Sequence, residues 1–279
     1  MLKILTLMEN TNGNDETTAE HGLSFIIQRD GRTLLFDTGK SAAFIENALV
    51  LGADLALVDT VVISHGHYDH GGGFRSFCDS IPFQGPLWTG SGFFDPKWSD
   101  ESPAPRYLGV DFDEGFLTAN SIEHRIVLAS PGETVIREIL PGIFAVNGFP
   151  RTHHEEKPNP RFVVDRNGER IIDDFHDEVC LAIDQPDGIV IILGCSHPGL
   201  MNMLDAVRKA FGKPLRAVLG GSHLVEADPV RLAASLDYLR DCACPLVALG
   251  HCTGEKGIAL LVEHLPAYRI LKVGEVFLL

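Results

Sequence analysis

The sequence has little positive charge. Its 279 residues include 23 Lys and Arg against 38 Asp and Glu, which gives a formal net charge of −15. A protein that grips nucleic acid or anionic lipid needs clustered cations to displace counterions. We therefore expect no nucleic acid and no membrane among its partners, and we expect a small molecule instead.

Long apolar runs are also missing, since no stretch approaches the roughly 18 apolar residues of a membrane span. The opening segment MLKILTLMENTNGNDETT turns acidic too early for the apolar core of a secretory signal. Six cysteines are scattered through a chain that is 45% hydrophobic and long enough to bury a large core without disulfides. We expect a cytoplasmic protein and, because no composition break divides the chain, a single domain over 1–279; the sequence leaves the oligomeric state open.

The pattern of apolar residues changes along the chain. Short strands come first (LKILTLM, LSFIIQ, TLLFDTG), and the second half alternates the strands GIVIILG, RAVLGG and PLVALG with the helices LMNMLDAVRKAFG, DPVRLAASLDYLRDC and EKGIALLVEHL, before a predicted terminal hairpin RILKVGEVFLL. This order predicts sheets covered by helices. Residues 85–125 are rich in Gly, Pro, Ser and aromatics, and we interpret them as an irregular excursion, either a lid or a surface loop.

The stretch SHGHYDHGGG, residues 64–73, follows a buried β-branched strand. His65 and His67 are two apart in an extended segment, so both imidazoles point to one side and can bind one metal. Asp69 and His70 follow at a turn that opens a helix. We interpret Gly71–Gly73 as removing side chains that would crowd the backbone and the ion. The segment predicts a metal site.

Three later strands also end in metal-binding residue types. IVIILGCSH ends in Cys195 and His197, RAVLGGSH ends in His223, and PLVALGHCTG ends in His251. Sheet-based sites are assembled at the carboxyl ends of strands. We therefore expect these side chains to converge on the edge that carries the first motif.

These motifs together resemble the metallo-β-lactamase-fold hydrolases over essentially the whole chain. The segments AEHGLSFII, DDFHDEVCLAI, LGCSHPGLMNM, LGGSHL and LGHCTGEKG are similar to the subgroup that includes 7,8-dihydropterin-6-methyl-4-(β-D-ribofuranosyl)aminobenzene 5′-phosphate synthase. The resemblance implies an α/β fold, a four-layer αββα sandwich of two mixed sheets with helices outside. It also implies a cleft for two divalent metal ions.

The resemblance assigns ligands by position. It implies that His65, His67 and a third residue hold the first metal, and that Asp69, His70 and His251 hold the second; Asp69 also belongs to the catalytic set. Cys195 stands where the superfamily usually has a bridging aspartate, and a thiolate there favours Zn²⁺ over Mn²⁺, with Fe²⁺ as a further alternative.

The third ligand of the first metal has two candidates. His176 stands 19 residues before Cys195, as a histidine does in many superfamily members, whereas the subgroup resemblance at this point centres on Asp177 and Glu178. His197 shares a face with Cys195 if the segment stays extended. We favour His197 and keep His176 as the alternative.

Four other residues receive roles outside the ligand set. Asp37 of FDTG is predicted to orient the metal loop by accepting hydrogen bonds. His223 is predicted to donate a proton to a leaving group. His21 and Arg151 are weaker candidates for residues that border the substrate.

A centre of this kind suits more than one reaction. Two close cations favour hydrolysis of phosphoesters, thioesters or lactones, and they also suit a condensation that expels diphosphate. We expect a metal-dependent enzyme acting on a phosphorylated or pterin-like small molecule. A ligand-binding or signalling protein that kept the fold without efficient catalysis is the alternative.

Overall fold

A computed structural model describes residues 1–101, 103–130 and 132–279. The chain forms two compact units: the first comprises 1–126, 158–177 and 272–279, and the second comprises 127–157 and 178–271. Neither sequence composition nor charge changes at these boundaries, which is why the sequence predicts a single domain.

The strands, in chain order, are β1 Leu2–Met8, β2 Ser24–Arg29, β3 Arg32–Phe36, β4 Thr60–Val62, β5 Leu87–Gly90, β6 Lys97–Ser99, β7 Arg106–Tyr107, β8 His124–Val127, β9 Val135–Leu140, β10 Ile143–Asn147, β11 Phe162–Arg166, β12 Glu169–Ile172, β13 Val179–Gln185, β14 Gly188–Leu193, β15 Leu215–Gly221, β16 Val247–Gly250 and β17 Val276–Leu278. The helices are α1 Ala43–Val50, α2 Tyr68–Gly71, α3 Phe74–Ser80, α4 Glu114–Ala119, α5 Leu200–Phe211, α6 Pro229–Asp241 and α7 Gly254–His264.

The first unit is built on a seven-stranded sheet with the order β17-β1-β2-β3-β4-β5-β8. Strands β3, β4 and β5 are parallel, so β3 and β4 end at one edge, just before Asp37 and the 64–73 segment. The sheet packs on a phenylalanine-rich core that includes Phe44, Phe74 and Phe77. This core holds the strand ends in place.

A second sheet of the first unit corrects the prediction for residues 85–125. The segment contains β5, β6, β7, α4 and the start of β8, and β6 pairs with β11 in a four-stranded sheet, Trp98 facing Val163. Residue 102 of this segment lies outside the described residues. The periodicity of the segment could not reveal these strands, because they are two to four residues long and β6 pairs with a strand more than sixty residues later.

The second unit is built on a six-stranded sheet with the order β16-β15-β14-β13-β10-β9. Strands β14, β15 and β16 are parallel, so their carboxyl ends meet at one edge. The predicted helices over 200–212, 228–242 and 255–265 are confirmed as α5, α6 and α7. Asp228 caps α6, accepting the N–H of Arg231, with Pro229 at the first helical position.

The predicted terminal hairpin is wrong. Strand β17 pairs with β1, Phe277 facing Ile4, and the residues before it form isolated bridges such as Tyr268 with Val247. Strand β1 offers an edge whose backbone groups β17 satisfies. A local alternation pattern carries no information about that distant partner.

Two negative findings concern the described part of the chain. No helix there is both long and apolar enough to cross a membrane. None of the six cysteines, all of which are described, takes part in a disulfide.

Candidate metal centre

The first unit places three histidines and an aspartate in one buried loop. His65 and His67 follow β4, and a potential ligand atom of one lies within 4.8 Å of such an atom of the other. The same limit holds for Asp69 and His70, which lie in the single turn of α2. All four side chains are buried. The loop therefore presents three imidazole rings and one carboxylate as candidate ligands.

The carboxylate of Asp37 fixes this loop by hydrogen bonds to Ser64 and His70. Its Oδ1 accepts the N–H of Ser64 at 2.6 Å, and its Oδ2 lies 2.9 Å from Ser64 Oγ and 2.6 Å from His70 Nδ1. Ser64 Oγ in turn lies 3.0 Å from His65 Nδ1. Because Nδ1 of both histidines is engaged, Nε2 is the ring nitrogen presented for a metal. The sequence predicts this orienting role for Asp37.

Burial controls the charge of these groups. Burial, reinforced by His70 and His67, holds the pKa of His65 well below its usual value, so the ring is neutral near pH 7. Burial raises the pKa of Asp37, and the His70 contact opposes that shift. A neutral imidazole is the form that binds metals.

His21 lies beside the loop. Its Nε2 is 3.2 Å from Asp69 Oδ2, and 54% of its side-chain surface is exposed. Its Nδ1 is 3.4 Å from Asn10 Nδ2. His21 therefore contacts a predicted metal ligand, and its predicted place beside the substrate stays a prediction.

The glycines at the end of the motif lie close to neighbouring backbone. A Cβ on Gly72 would lie 2.5 Å from the carbonyl oxygen of Lys40, and one on Gly73 would lie 2.1 Å from that of Thr38. These glycines therefore give room to the neighbouring chain segment, as predicted for the backbone, and the room for an ion stays a prediction.

The second unit carries its candidates at three parallel strand ends. Cys195 and His197 follow β14, His223 follows β15 and His251 follows β16. His223 and His251 have left-handed backbone conformations, with φ of 47° and 50°. Such conformations cost about 1–3 kcal/mol each and cluster at functional sites. A potential ligand atom of Cys195 lies within 4.8 Å of one of His251.

His197 and His223 lie side by side in this unit, with ring centroids 4.3 Å apart. His223 Nδ1 is also 3.7 Å from Glu226 Oε2. The ring is almost fully buried, beside a predicted ligand and next to a carboxylate. This is a suitable environment for a proton donor.

Sequence reasoning missed Glu178 as the group that fixes the 195–197 loop. Its buried carboxylate accepts the N–H of Ser196 at 2.6 Å and that of His197 at 2.9 Å. The available signal was an acidic residue directly before the apolar run VCLAI, a position that becomes buried when the run forms a strand.

Sequence reasoning also missed Lys97 of the first unit and its contacts with two aspartates. Lys97 is fully buried, and its Nζ lies 3.2 Å from Asp177 and 3.4 Å from Asp173. Burial would lower the pKa of Lys97, but the two carboxylates together raise it above its usual value. Nothing in the irregular local sequence around Lys97 indicates burial.

The remaining candidates lie as follows. His176 is one-third exposed, and its Nδ1 contacts Arg166 at 2.7 Å and Asp174 at 3.2 Å. Arg151 is exposed and donates to the carbonyl oxygen of Pro198, the residue after His197, at 3.1 Å. His176 is thus engaged by surface charges, whereas Arg151 lies against a candidate metal loop.

The chemistry of the donors fits divalent metal ions. The first unit offers imidazole nitrogens and a carboxylate, and the second offers imidazole nitrogens and a thiol. Imidazole and thiolate suit zinc, and carboxylate suits both zinc and harder ions.

The metallo-beta-lactamase superfamily model matches residues 17–240, and the chain belongs to this superfamily. It is 29% identical over 277 residues to the 7,8-dihydropterin-6-methyl-4-(beta-D-ribofuranosyl)-aminobenzene-5′-phosphate synthase of Methanocaldococcus jannaschii, covering 94% of this chain and 91% of that protein.

Solved structures agree with the family. A crystal structure of a metal-dependent hydrolase of the beta-lactamase superfamily is 30% identical, has a TM-score of 0.84 and covers 100% of this chain and 99% of that one. The Zn²⁺-bound PqqB of Methylobacterium extorquens shares the fold at 12% identity and a TM-score of 0.55, covering 99% and 100% of the two chains. The predicted fold class is confirmed.

Proposed function

We propose that the protein is a dinuclear metal-dependent enzyme that acts on a phosphorylated or pterin-like small molecule. In this proposal His65, His67 and His197 would hold one ion, and Asp69, His70 and His251 would hold the other, with Cys195 as a further, thiolate ligand of that second ion. The observation that carries the proposal is a set of mostly buried candidate donors that follow strand ends. A buried carboxylate fixes the loop after β4 in one unit (Asp37) and the loop after β14 in the other (Glu178).

The bound ions would supply Lewis acidity, which lowers the pKa of a water molecule and neutralises negative charge that develops on a phosphate. The protein's own residues hold and orient the donors. Asp37 fixes the ring of His70, and Glu178 fixes the backbone of His197. His223 would deliver a proton to the leaving group, since its ring lies beside His197 and is paired with Glu226.

Support for the substrate class comes from the synthase relative, which matches almost the whole chain. The condensation that we consider for this protein forms a bond between an arylamine nitrogen and a pterin methylene carbon. It breaks the bond from that carbon to a diphosphate oxygen and releases the amine proton. Arg151, anchored on Pro198, would bind a phosphate group of the substrate. We further propose that the protein works in the cytoplasm without nucleic acid or membrane partners.

The proposal is tested with protein stripped by a chelator and reloaded with zinc, manganese or iron. Two assays are run: hydrolysis of bis(p-nitrophenyl) phosphate, and diphosphate release from a dihydropterin diphosphate with an arylamine. We expect metal-dependent turnover in at least one assay and binding of about two metals per chain. Less than one metal per chain, together with no turnover in either assay, would contradict the proposal.

The role of His223 is tested within the same assays. We expect His223→Ala to lower kcat by about 10²–10⁴-fold, the usual contribution of a general acid. His264→Ala, a partly exposed histidine near the end of α7, serves as the control and should leave kcat unchanged. Tight substrate binding with turnover unaffected by His223→Ala would instead favour the ligand-binding alternative.

A further inference from the structure

The first unit contains a buried group of three charges that is not part of the ligand set. Lys97 Nζ lies between the carboxylates of Asp177 and Asp173, at 3.2 and 3.4 Å, and all three side chains are at most 1% exposed. Buried ion pairs are weak contributors to stability, because desolvation offsets their attraction. Such a group is better explained by what it positions than by the stability it adds.

The two carboxylates differ in what else they contact. Asp177 Oδ2 accepts the N–H of Gly66 at 2.9 Å, and Gly66 is the residue that separates His65 from His67. Asp173 Oδ1 instead accepts the N–H of Phe175 at 2.8 Å, within its own turn. Only Asp177 therefore connects Lys97 to the metal loop by a hydrogen bond.

The packing around Gly66 leaves the loop little freedom. A Cβ on this residue would lie 2.1 Å from the carbonyl oxygen of Phe93 and 2.9 Å from Lys97 Cε. The backbone of the loop thus rests directly against the stem of Lys97. Asp177 and Lys97 therefore both contact Gly66, the residue between the two histidines, and a displacement of either side chain would act on its backbone.

We propose that Asp177 is a positioning residue for the metal loop. Its bond to Gly66 holds the peptide between His65 and His67 so that both imidazoles can bind one ion, and Lys97 holds the carboxylate in place. The inference rests on the proposed function only in requiring that these histidines bind a metal. Asp177 itself is not a ligand in this assignment.

Asp177→Ala and Asp173→Ala form a matched pair for the test. Each variant removes one of the two buried carboxylates that pair with Lys97. Of the two, Asp177→Ala alone also removes the hydrogen bond to Gly66 in the metal loop. Co²⁺ is titrated into metal-free full-length protein, and both its dissociation constant and its visible absorption spectrum are measured. We expect Asp177→Ala to weaken Co²⁺ binding about 10–100-fold and to alter the spectrum. Asp173→Ala should leave the dissociation constant within about threefold of the wild-type value and the spectrum unchanged.

The outcomes separate this inference from the proposed function. If the wild type binds no Co²⁺, the proposed function fails. If the wild type binds Co²⁺ and the two variants weaken it equally, Asp177 is merely structural and the inference is overturned. Should Asp177→Ala not fold, Asp177→Asn is compared with Asp173→Asn, and hydrogen exchange of the Gly66 amide is measured on the same proteins. We expect faster exchange in Asp177→Asn alone, and equal exchange in the two would overturn the inference.

Discussion

At the scale of single residues, the donor atoms follow from the sequence, but the atoms that orient them do not. Candidate metal-binding side chains are recognised in a sequence by residue type and spacing, as in His65 and His67. Glu178 and Lys97 act through backbone contacts or burial that appear only once distant segments meet. Asp37 is the exception, because it follows a strand in a motif that the family resemblance covers.

Cys195 sets the metal preference in this account. We expect Cys195→Asp to replace a soft donor with a hard one and to raise the affinity for Mn²⁺ relative to Zn²⁺. Competition between the two ions, read by mass spectrometry of the loaded protein, measures the ratio. Cys78→Ser in α3, which lies outside the ligand set, is the control. An unchanged ratio in Cys195→Asp would show that the thiol is not a ligand.

Asp37 is expected to contribute to metal affinity without touching the metal. Asp37→Asn removes the negative partner of His70 and should weaken zinc binding by about 10–100-fold. Asp59→Asn is matched, since Asp59 also accepts a backbone N–H, that of Thr33, but lies away from the loop. A chromophoric chelator competing for zinc gives the constants. Equal losses in the two variants would contradict the orienting role.

At the scale of elements, the sequence pattern predicts long helices well, but not short strands that pair with distant segments. Helices α5, α6 and α7 carry helical periodicity over ten or more residues, and all three are confirmed. Strands β6 and β17 are three residues long and take partners from distant segments, β11 and β1. Their pairing depends on long-range contacts, so the sequence pattern misassigned both regions.

The turn that ends the metal motif is expected to tolerate no side chain at residue 73. In Gly73→Ala the new Cβ would meet the carbonyl oxygens of Thr38 and Ser41 at 2.1 and 2.6 Å. We expect a loss of roughly 1–3 kcal/mol in the free energy of unfolding, measured by urea denaturation. Gly115→Ala in α4, where the nearest contact is Asp113 Oδ1 at 3.1 Å, is the milder change and should cost less than Gly73→Ala. A stable Gly73→Ala protein would show that the turn is looser than described.

At the scale of the whole molecule, the net charge of −15 opposes the approach of a phosphorylated substrate. Salt screens this repulsion, since the Debye length falls from about 30 Å at 0.01 M to about 8 Å at 0.15 M ionic strength. We therefore expect kcat/KM for an anionic substrate to rise over that range, and to stay flat for a neutral one. A fall in kcat/KM would indicate that local positive charge dominates the encounter.

The central claim is that the proposed ligand set binds two divalent metal ions. Crystals grown with zinc and measured above and below the zinc absorption edge test it most directly. We predict two anomalous peaks per chain, one bound by His65, His67 and His197, and the other by Asp69, His70 and His251 with Cys195 beside it. No peak at these residues, or ions bound without Cys195, His197 and His251, would contradict the account.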